Sequence, residues 1–277
     1  MEYSAKQTLK YLCLKNVSSN FLLAIPPDRI GGAMVVVRSI ISGGVLYFTE
    51  PKSLPESDQA HFSLTALVPL QVRRIAFCNP SFFMKTQNVL IGGGALEPTL
   101  EKQLMTYPTQ FYHSYGMTET ASHVALRKLG DKSYHALGDV RFRQNKERLV
   151  LKGTISNHNW LQTNDLIKLQ SETSFKWIGR SDFIINSGGH KVVPEKVEKL
   201  LSRQLTGKFA ISSVPDVHFG EKVVFVSSQA KTTLILEHIH EFDRPKKFFW
   251  EFKIPYLSSG KIDRLGLRKL LSISNDI

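Results

Sequence analysis

Four segments of this chain bring glycines and polar side chains together in patterns that could handle a phosphorylated ligand. The first, Ile91-Gly92-Gly93-Gly94-Ala95-Leu96-Glu97-Pro98, puts three residues without side chains after an apolar run, which lets a flat ligand or another backbone approach closely. An ordinary loop explains such a triplet equally well. The second, His113-Ser114-Tyr115-Gly116-Met117-Thr118-Glu119-Thr120, matches residue types to a task. Tyr115 offers a stacking face, Gly116 leaves room, Thr118 can donate to a phosphate oxygen, and Glu119 is a hard oxygen ligand for Mg²⁺. Alone, the same stretch also reads as a helix start capped by Thr118.

The third segment pairs Thr163-Asn164-Asp165-Leu166 with Arg180-Ser181-Asp182 and the run Asn186-Ser187-Gly188-Gly189-His190-Lys191. A carboxylate on an Asn-Asp turn can accept both hydroxyls of a ribose, and an arginine can donate to the same sugar or to phosphate. A surface turn and a simple ion pair account for each alone. The fourth, Pro255-Tyr256-Leu257-Ser258-Ser259-Gly260-Lys261-Ile262-Asp263-Arg264, sets Lys261 after a small flexible loop, suited to carrying a positive charge into a site formed mostly elsewhere.

The elements that would position these residues alternate. A helical pattern over Ala5 to Leu14 leads through a turn to an apolar strand, Phe21 to Ile25. A buried helix follows over Ala33 to Ile41, then strands at Val45 to Phe48 and Leu64 to Val68, a helix from Leu70, and a strand at Asn88 to Ile91. This is an α/β pattern. From Arg148 onward short strands take over, at Leu149 to Leu151, Ile167 to Leu169 and Phe175 to Ile178. A helix returns at Pro194 to Leu205, with proline at its first position. Strands at Lys222 to Ser227 and Phe248 to Phe252 follow, and Leu234 to His240 is left unassigned. The polar turn Gly179-Arg180-Ser181-Asp182 is the expected hinge, dividing a large domain, 1–179, from a small one, 180–277.

Composition sets the class. The chain has 277 residues, of which 42% are hydrophobic, enough for one large core and a small one. No apolar run suits a membrane span, and the start has no secretory pattern, so a cytoplasmic protein is expected. Cys13 and Cys78 have neither disulfide nor metal spacing and read as buried small hydrophobes. The net charge of +12 is spread along the chain in short clusters, Arg73-Arg74, Arg141 to Arg148 and Arg244 to Lys247. With no nucleic-acid-binding pattern, that charge suits polyanionic small molecules better than a nucleic acid. The interleaved aromatics of Arg244 to Lys253 are the best sign of a basic binding surface, though a strand explains them too. His238 and His240 with Glu237 and Glu241 read as an exposed helix or turn rather than a metal site. Asn16-Val17-Ser18 matches a glycosylation triplet, which is accidental in a cytoplasmic protein.

Taken in this order, from about Phe21 to Leu270, the four segments resemble the adenylate-forming superfamily of acyl-CoA synthetases, firefly luciferases and peptide-synthetase adenylation domains. Each is weak alone, and their co-occurrence is specific. The stretches Ile30 to Arg38, Ala66 to Val72 and Tyr115 to Arg127 look most similar to compact, Bacteroidetes-type o-succinylbenzoate-CoA ligases of menaquinone synthesis. The resemblance implies an α/β fold with mixed and parallel sheets in the large domain and a mobile α+β lid. It also implies a reaction in two halves: ATP and a carboxylate give an acyl-adenylate, and CoA then displaces AMP. Gly92, Gly93 and Gly94 would border the adenine and acyl pocket, with Tyr115 and Gly116 at the adenine. Thr118 would contact the α-phosphate and Glu119 would hold Mg²⁺. Asp165 and Arg180 would hold the ribose, Asp182 would be the hinge, and Gly188, Gly189 and Lys191 would enter the site for the thioester step. Lys261 would bridge carboxylate and phosphate during adenylation.

Two departures from that pattern are visible. The family's Ser/Thr/Gly-rich phosphate loop stands ahead of the helix that Ser4 to Leu9 resembles, so an N-terminally shortened relative is expected. The aromatic or histidine that many members carry near Pro27-Asp28-Arg29 is not there. The alternative reading is an impaired relative that binds nucleotide or a protein partner without turnover. Expected partners are a small carboxylate and, for an oligomer, further copies of the chain.

Overall fold

A computed structural model describes residues 1–14, 19–55, 61–94, 96–205, 207–257 and 261–275. The triplet Asn16-Val17-Ser18, Ala95 and the Ser258-Ser259-Gly260 run lie outside the described residues. Contacts divide the chain into two compact units, 1–163 with 168–176, and 164–167 with 177–277.

The first unit opens with α1 (Glu2–Tyr11), β1 (Asn20–Leu23), α2 (Ile30–Ser42), β2 (Val45–Phe48) and β3 (Phe62–Leu67). It continues with α3 (Pro69–Cys78), α4 (Ser81–Met84), β4 (Thr86–Ile91), α5 (Pro98–Leu104) and β5 (Gln110–Met117). The strands run parallel in the order β2-β1-β3-β4-β5. Helical crossovers cover the faces of such a sheet, so its central strands can be apolar on both sides, and all six residues of β3 are buried. Gln71, on the first turn of α3, fastens this layer. Its amide nitrogen donates to the carbonyls of Ala24 at 2.7 Å and Lys52 at 2.9 Å, and its oxygen accepts from the Val68 N–H at 3.1 Å.

Antiparallel strands then extend the sheet: β6 (Ser122–Lys128), β7 (Tyr134–Ala136), β8 (Arg141–Asn145), β9 (Arg148–Lys152), β10 (Leu161–Ser171) and β11 (Ser174–Arg180). The order continues β5-β6-β7-β11-β10-β9-β8. Phe175, fully buried, meets the edge of Phe142 at 4.9 Å and stacks with Tyr134 at 5.5 Å, so one aromatic cluster ties three of these strands together.

The second unit holds β12 (Ile185–Ser187), β13 (His190–Val192), α6 (Pro194–Leu201), β14 (Phe209–Asp216), β15 (Gly220–Ser227), β16 (Lys247–Phe249) and α7 (Arg264–Asn275). Alternation along β14 and β15 sends Ile211, Val223 and Phe225 toward Val197 and Leu201 of α6. It sends Ala210, Val214, Val224 and Val226 toward Leu267 and Leu271 of α7. The mixed α/β architecture expected from the sequence is thus present, with a parallel half-sheet and a smaller α+β unit.

Several local expectations need correction. Asn164 and Asp165 do not form a turn: they lie inside the eleven-residue β10, and the hairpin turns instead at Glu172-Thr173. Pairing across the hairpin overrides the turn preference of the Asn-Asp dipeptide. His113 to Met117 is strand rather than helix start, and only Thr118–Thr120 form a single 3₁₀ turn. Helix α6 stops at Leu201 and β16 at Phe249, each short of the apolar pattern. Cys13 and Cys78 are both exposed, one just past the end of α1 and the other at the end of α3, so neither serves as a core hydrophobe.

Two sets of buried charges stand out. In the second unit, Arg264 donates to both carboxylate oxygens of Glu198, at 3.0 and 2.7 Å, and to the carbonyl of Ile211 at 3.2 Å. Glu198 in turn accepts from the Ile211 N–H at 2.8 Å. Glu198→Gln breaks these charge-assisted bonds but leaves Glu195, 3.8 Å from the Arg264 Nε, as a second carboxylate, so it should lower stability by about 2 kcal/mol in urea unfolding. In the first unit, His113 is buried and its Nε2 has no hydrogen-bond partner. Burial, aided by Arg127 and opposed by Glu101, pushes its pKa down from 6.5 to about 4. The folded state therefore binds fewer protons than the unfolded state in that window. The contribution of His113 is full above pH 6.5 and is lost as pH falls toward 4, amounting to about 3 kcal/mol. Stability against pH should be flatter between 6.5 and 4 for His113→Gln than for the parent chain.

Candidate active site

The residues singled out by sequence fall into two groups, one in each unit. In the first unit, Gly92, Gly93 and Gly94 follow β4, and the nearest obstruction to a side chain at Gly93 is more than 4 Å away. On the neighbouring strand β5, Tyr115 is buried, edge-on to Phe175 at 5.1 Å and Tyr134 at 5.8 Å. Gly116 has a structural reason to be glycine. A Cβ there would stand 2.3 Å from the Ser122 carbonyl oxygen and 2.5 Å from the His123 Cα, where β5 and β6 shift register. The room it leaves is filled by backbone rather than by a ligand.

Beyond Met117 the chain makes the 3₁₀ turn that carries Thr118 and Glu119, and Glu119 is exposed. Thr120, fully buried, staples this turn. Its hydroxyl lies 2.7 Å from the Ser122 carbonyl and accepts from the Met117 N–H at 3.1 Å. The glycine run and Glu119 thus sit at the carboxyl ends of the adjacent parallel strands β4 and β5, where open α/β sheets bind ligands.

Within the second unit, Asp165 accepts from the Trp177 indole N–H at 3.0 Å, and a guanidinium nitrogen of Arg180 stands 3.9 Å from the same oxygen. Arg180 also donates from Nε to Asp182 at 3.2 Å. The carboxylate that sequence placed on a turn is held on a strand, with cation and indole across the hairpin. Asp182 sits in the 3₁₀ turn Ser181–Phe183 that follows β11. Gly188 and Gly189 form the two-residue turn between β12 and β13, with φ of 57° and 82°, a conformation that suits glycine. His190 stacks on Phe242 at 3.7 Å, and Lys191 is exposed beside it.

Lys261 is exposed, its carbonyl accepts a 2.8 Å hydrogen bond from the Leu257 N–H, and the neighbouring Ile262 bridges to Tyr256. Its side chain has no ion pair among the described residues. His238 and His240 are exposed, and no cluster of His, Cys, Asp or Glu among the described residues could hold a metal ion by itself.

Sequence reading gave no role to two further residues. Trp177 orients Asp165 and belongs to no motif, because its partner lies across the hairpin. Arg38 is the other. It is 1% exposed, its Nε has no partner, and its remaining contacts are neutral: Ser122 Oγ at 3.4 Å and His123 Nε2 at 3.5 Å. Burial lowers its pKa to about 9. His123 Nε2 also stands 2.9 Å from the Thr8 hydroxyl, which itself donates to the Ser4 carbonyl at 2.9 Å. Burial and then Arg38 hold the His123 pKa well below 6.5. The signal for Arg38 was an arginine in the middle of an apolar helix.

No family model matches the chain. It is similar to curated 2-succinylbenzoate–CoA ligases. With that of Haemophilus influenzae it shares 28% identity over 210 residues, 66% of this chain and 44% of that protein. With that of Enterococcus faecalis it shares 25% identity over 288 residues, 87% of this chain and 59% of that protein. The chain thus spans about half to three fifths of the length of these relatives. Among solved structures, it resembles o-succinylbenzoate CoA synthetase from Bacillus subtilis in complex with the acyl-adenylate intermediate OSB-AMP. The TM-score is 0.80 at 20% identity, over 96% of this chain and 64% of that one. An acyl-CoA synthetase (AMP-forming)/AMP-acid ligase II-like protein from Dyadobacter fermentans matches at 28% identity and a TM-score of 0.63, over 98% of this chain and 83% of that one. In sequence the chain is similar to the 2-succinylbenzoate–CoA ligases, and in fold to the AMP-forming acyl-CoA synthetases.

Proposed function

We propose that the chain carries the catalytic residues of an AMP-forming acid–thiol ligase that makes o-succinylbenzoyl-CoA from o-succinylbenzoate, ATP and CoA. The observation that carries this reading is Lys261: an exposed ammonium beside the Tyr256–Ile262 bridge, with no carboxylate neutralising it among the described residues. Negative charge gathers at the α-phosphorus during adenylation, and a free cation brought to that point stabilises it. The curated relatives support the same chemistry.

The other residues divide the work. The carboxylate of Asp165, oriented by Trp177, accepts the ribose hydroxyls with Arg180 beside it. Glu119 supplies one hard oxygen for Mg²⁺, which suits an ion that takes one or two carboxylates and completes its shell with phosphate oxygens and water. When bound, that ion neutralises phosphate charge. Asp182 is the hinge between a domain of residues 1–179 and a lid of residues 180–277. The Gly188-Gly189 turn, with Lys191 beside it, enters for the thioester step. Arg38 suits the substrate, because o-succinylbenzoate carries two carboxylates. One is activated, and the other needs a counter-cation that a buried, acid-free arginine provides.

Two measurements test the assignment. Lys261→Ala should slow ATP–pyrophosphate exchange with o-succinylbenzoate by about 10²- to 10³-fold while leaving thioester formation from supplied acyl-adenylate near the parent rate. Equal loss of both half reactions contradicts the role. Arg38→Met should raise KM for o-succinylbenzoate by about 10- to 100-fold with KM for ATP unchanged. A purely structural arginine would instead shift the unfolding midpoint and leave both KM values alone.

A further inference from the structure

The hairpin β8–β9 presents a charged face that the ligase chemistry does not use. Residues 141–152 contain five cations, Arg141, Arg143, Lys146, Arg148 and Lys152, and one carboxylate, Glu147. Strand alternation sorts the side chains. Phe142, Leu149 and Leu151 point inward and are fully buried, while Arg141, Arg143, Arg148 and Lys152 occupy the opposite face, with Arg141 paired to Lys152 across the strands. Lys146 and Glu147 form the tip, both with positive φ. Among the described residues none of these cations is in an ion pair with a carboxylate, although exposed cations elsewhere, such as Lys6, Lys52 and Lys196, are. Trp160 lies against this face, 37% exposed, with the Arg143 guanidinium 4.3 Å from its ring centre and the Lys152 ammonium at 5.1 Å.

We infer that this hairpin face is a docking surface for an anionic phospholipid bilayer. Three features choose that occupant. The face is part of a sheet with side chains standing to one side, so its cations can meet a plane of headgroup phosphates together. The charge is concentrated and unneutralised, complementary to such a plane, and each basic residue near it adds to binding. The indole is amphipathic, as suits the depth of the headgroups, but cations already occupy its ring, so it offers no free platform on which a nucleic-acid base could stack.

The test uses the full chain and sedimentation with phosphatidylcholine vesicles, with and without phosphatidylglycerol. Binding is expected to the mixed vesicles only and to vanish in molar salt. The triple variant Arg141→Gln, Arg143→Gln, Arg148→Gln should lose about a hundredfold in partitioning. A control triple, Lys10→Gln, Lys102→Gln, Lys128→Gln, removes as much charge from exposed sites elsewhere and should keep at least most of the binding. Trp160 emission gives a readout on the unaltered surface. Addition of mixed vesicles should shift it to the blue, and Trp160→Phe should abolish the shift while leaving Trp177 and Trp250 in place. Binding to neutral vesicles alike, absence of binding to the mixed ones, equal loss in the two triples, or capture of a single-stranded oligonucleotide at salt that releases the vesicles would overturn the assignment.

Discussion

The pairing of β10 with β11 is the interaction on which the rest of this hairpin's geometry depends. Near its turn the hairpin contributes Phe175 to the aromatic cluster of the first unit. Toward its open end it holds Asp165 against Trp177 and brings Arg180 to the same carboxylate. A one-residue slip in this pairing would exchange the faces, moving Phe175 out of the core and Asp165 away from its donors. The buried ring therefore fixes the register, and the register fixes the carboxylate.

Around that frame several cations have no acidic partner among the described residues. Arg38 is fully buried with only neutral contacts, Lys261 is exposed, and the β8–β9 face holds a row of arginines. They contrast with Arg264, whose two carboxylate bonds and carbonyl contact leave it fully engaged. The protein thus uses arginine in two ways. One is saturated and joins elements, while Arg38 is buried among neutral groups and the arginines of the β8–β9 face have no acidic partner among the described residues. Buried positive charge is costly when unmatched, and such cost is retained where a ligand repays it.

Much of this was legible from sequence because the signals were local. The glycine run, the Tyr115 to Glu119 segment and the Lys261 segment drew their proposed roles from a few neighbouring residues. The helix at Ala33 to Ile41 and the strand at Val45 to Phe48 followed from apolar runs bounded by glycine. Information held by pairing was harder to read. Asn164-Asp165 has the composition of a turn and became strand because β11 lies beside it, and Trp177 acquired a partner twelve residues away in sequence. The exposure of Cys13 and Cys78 depends on what fails to cover them, which composition does not encode.

Gly116 shows how a motif can mix two kinds of information. It stands between Tyr115 and the Thr118-Glu119 pair, so a loss of activity on substitution would invite a ligand-binding explanation. Its missing side chain instead makes way for the backbone of Ser122 and His123. A deep mutational scan would record the same intolerance at Gly116 and Glu119 for unrelated reasons. Abundance and turnover would have to be scored as separate phenotypes before either residue could be called part of the chemistry.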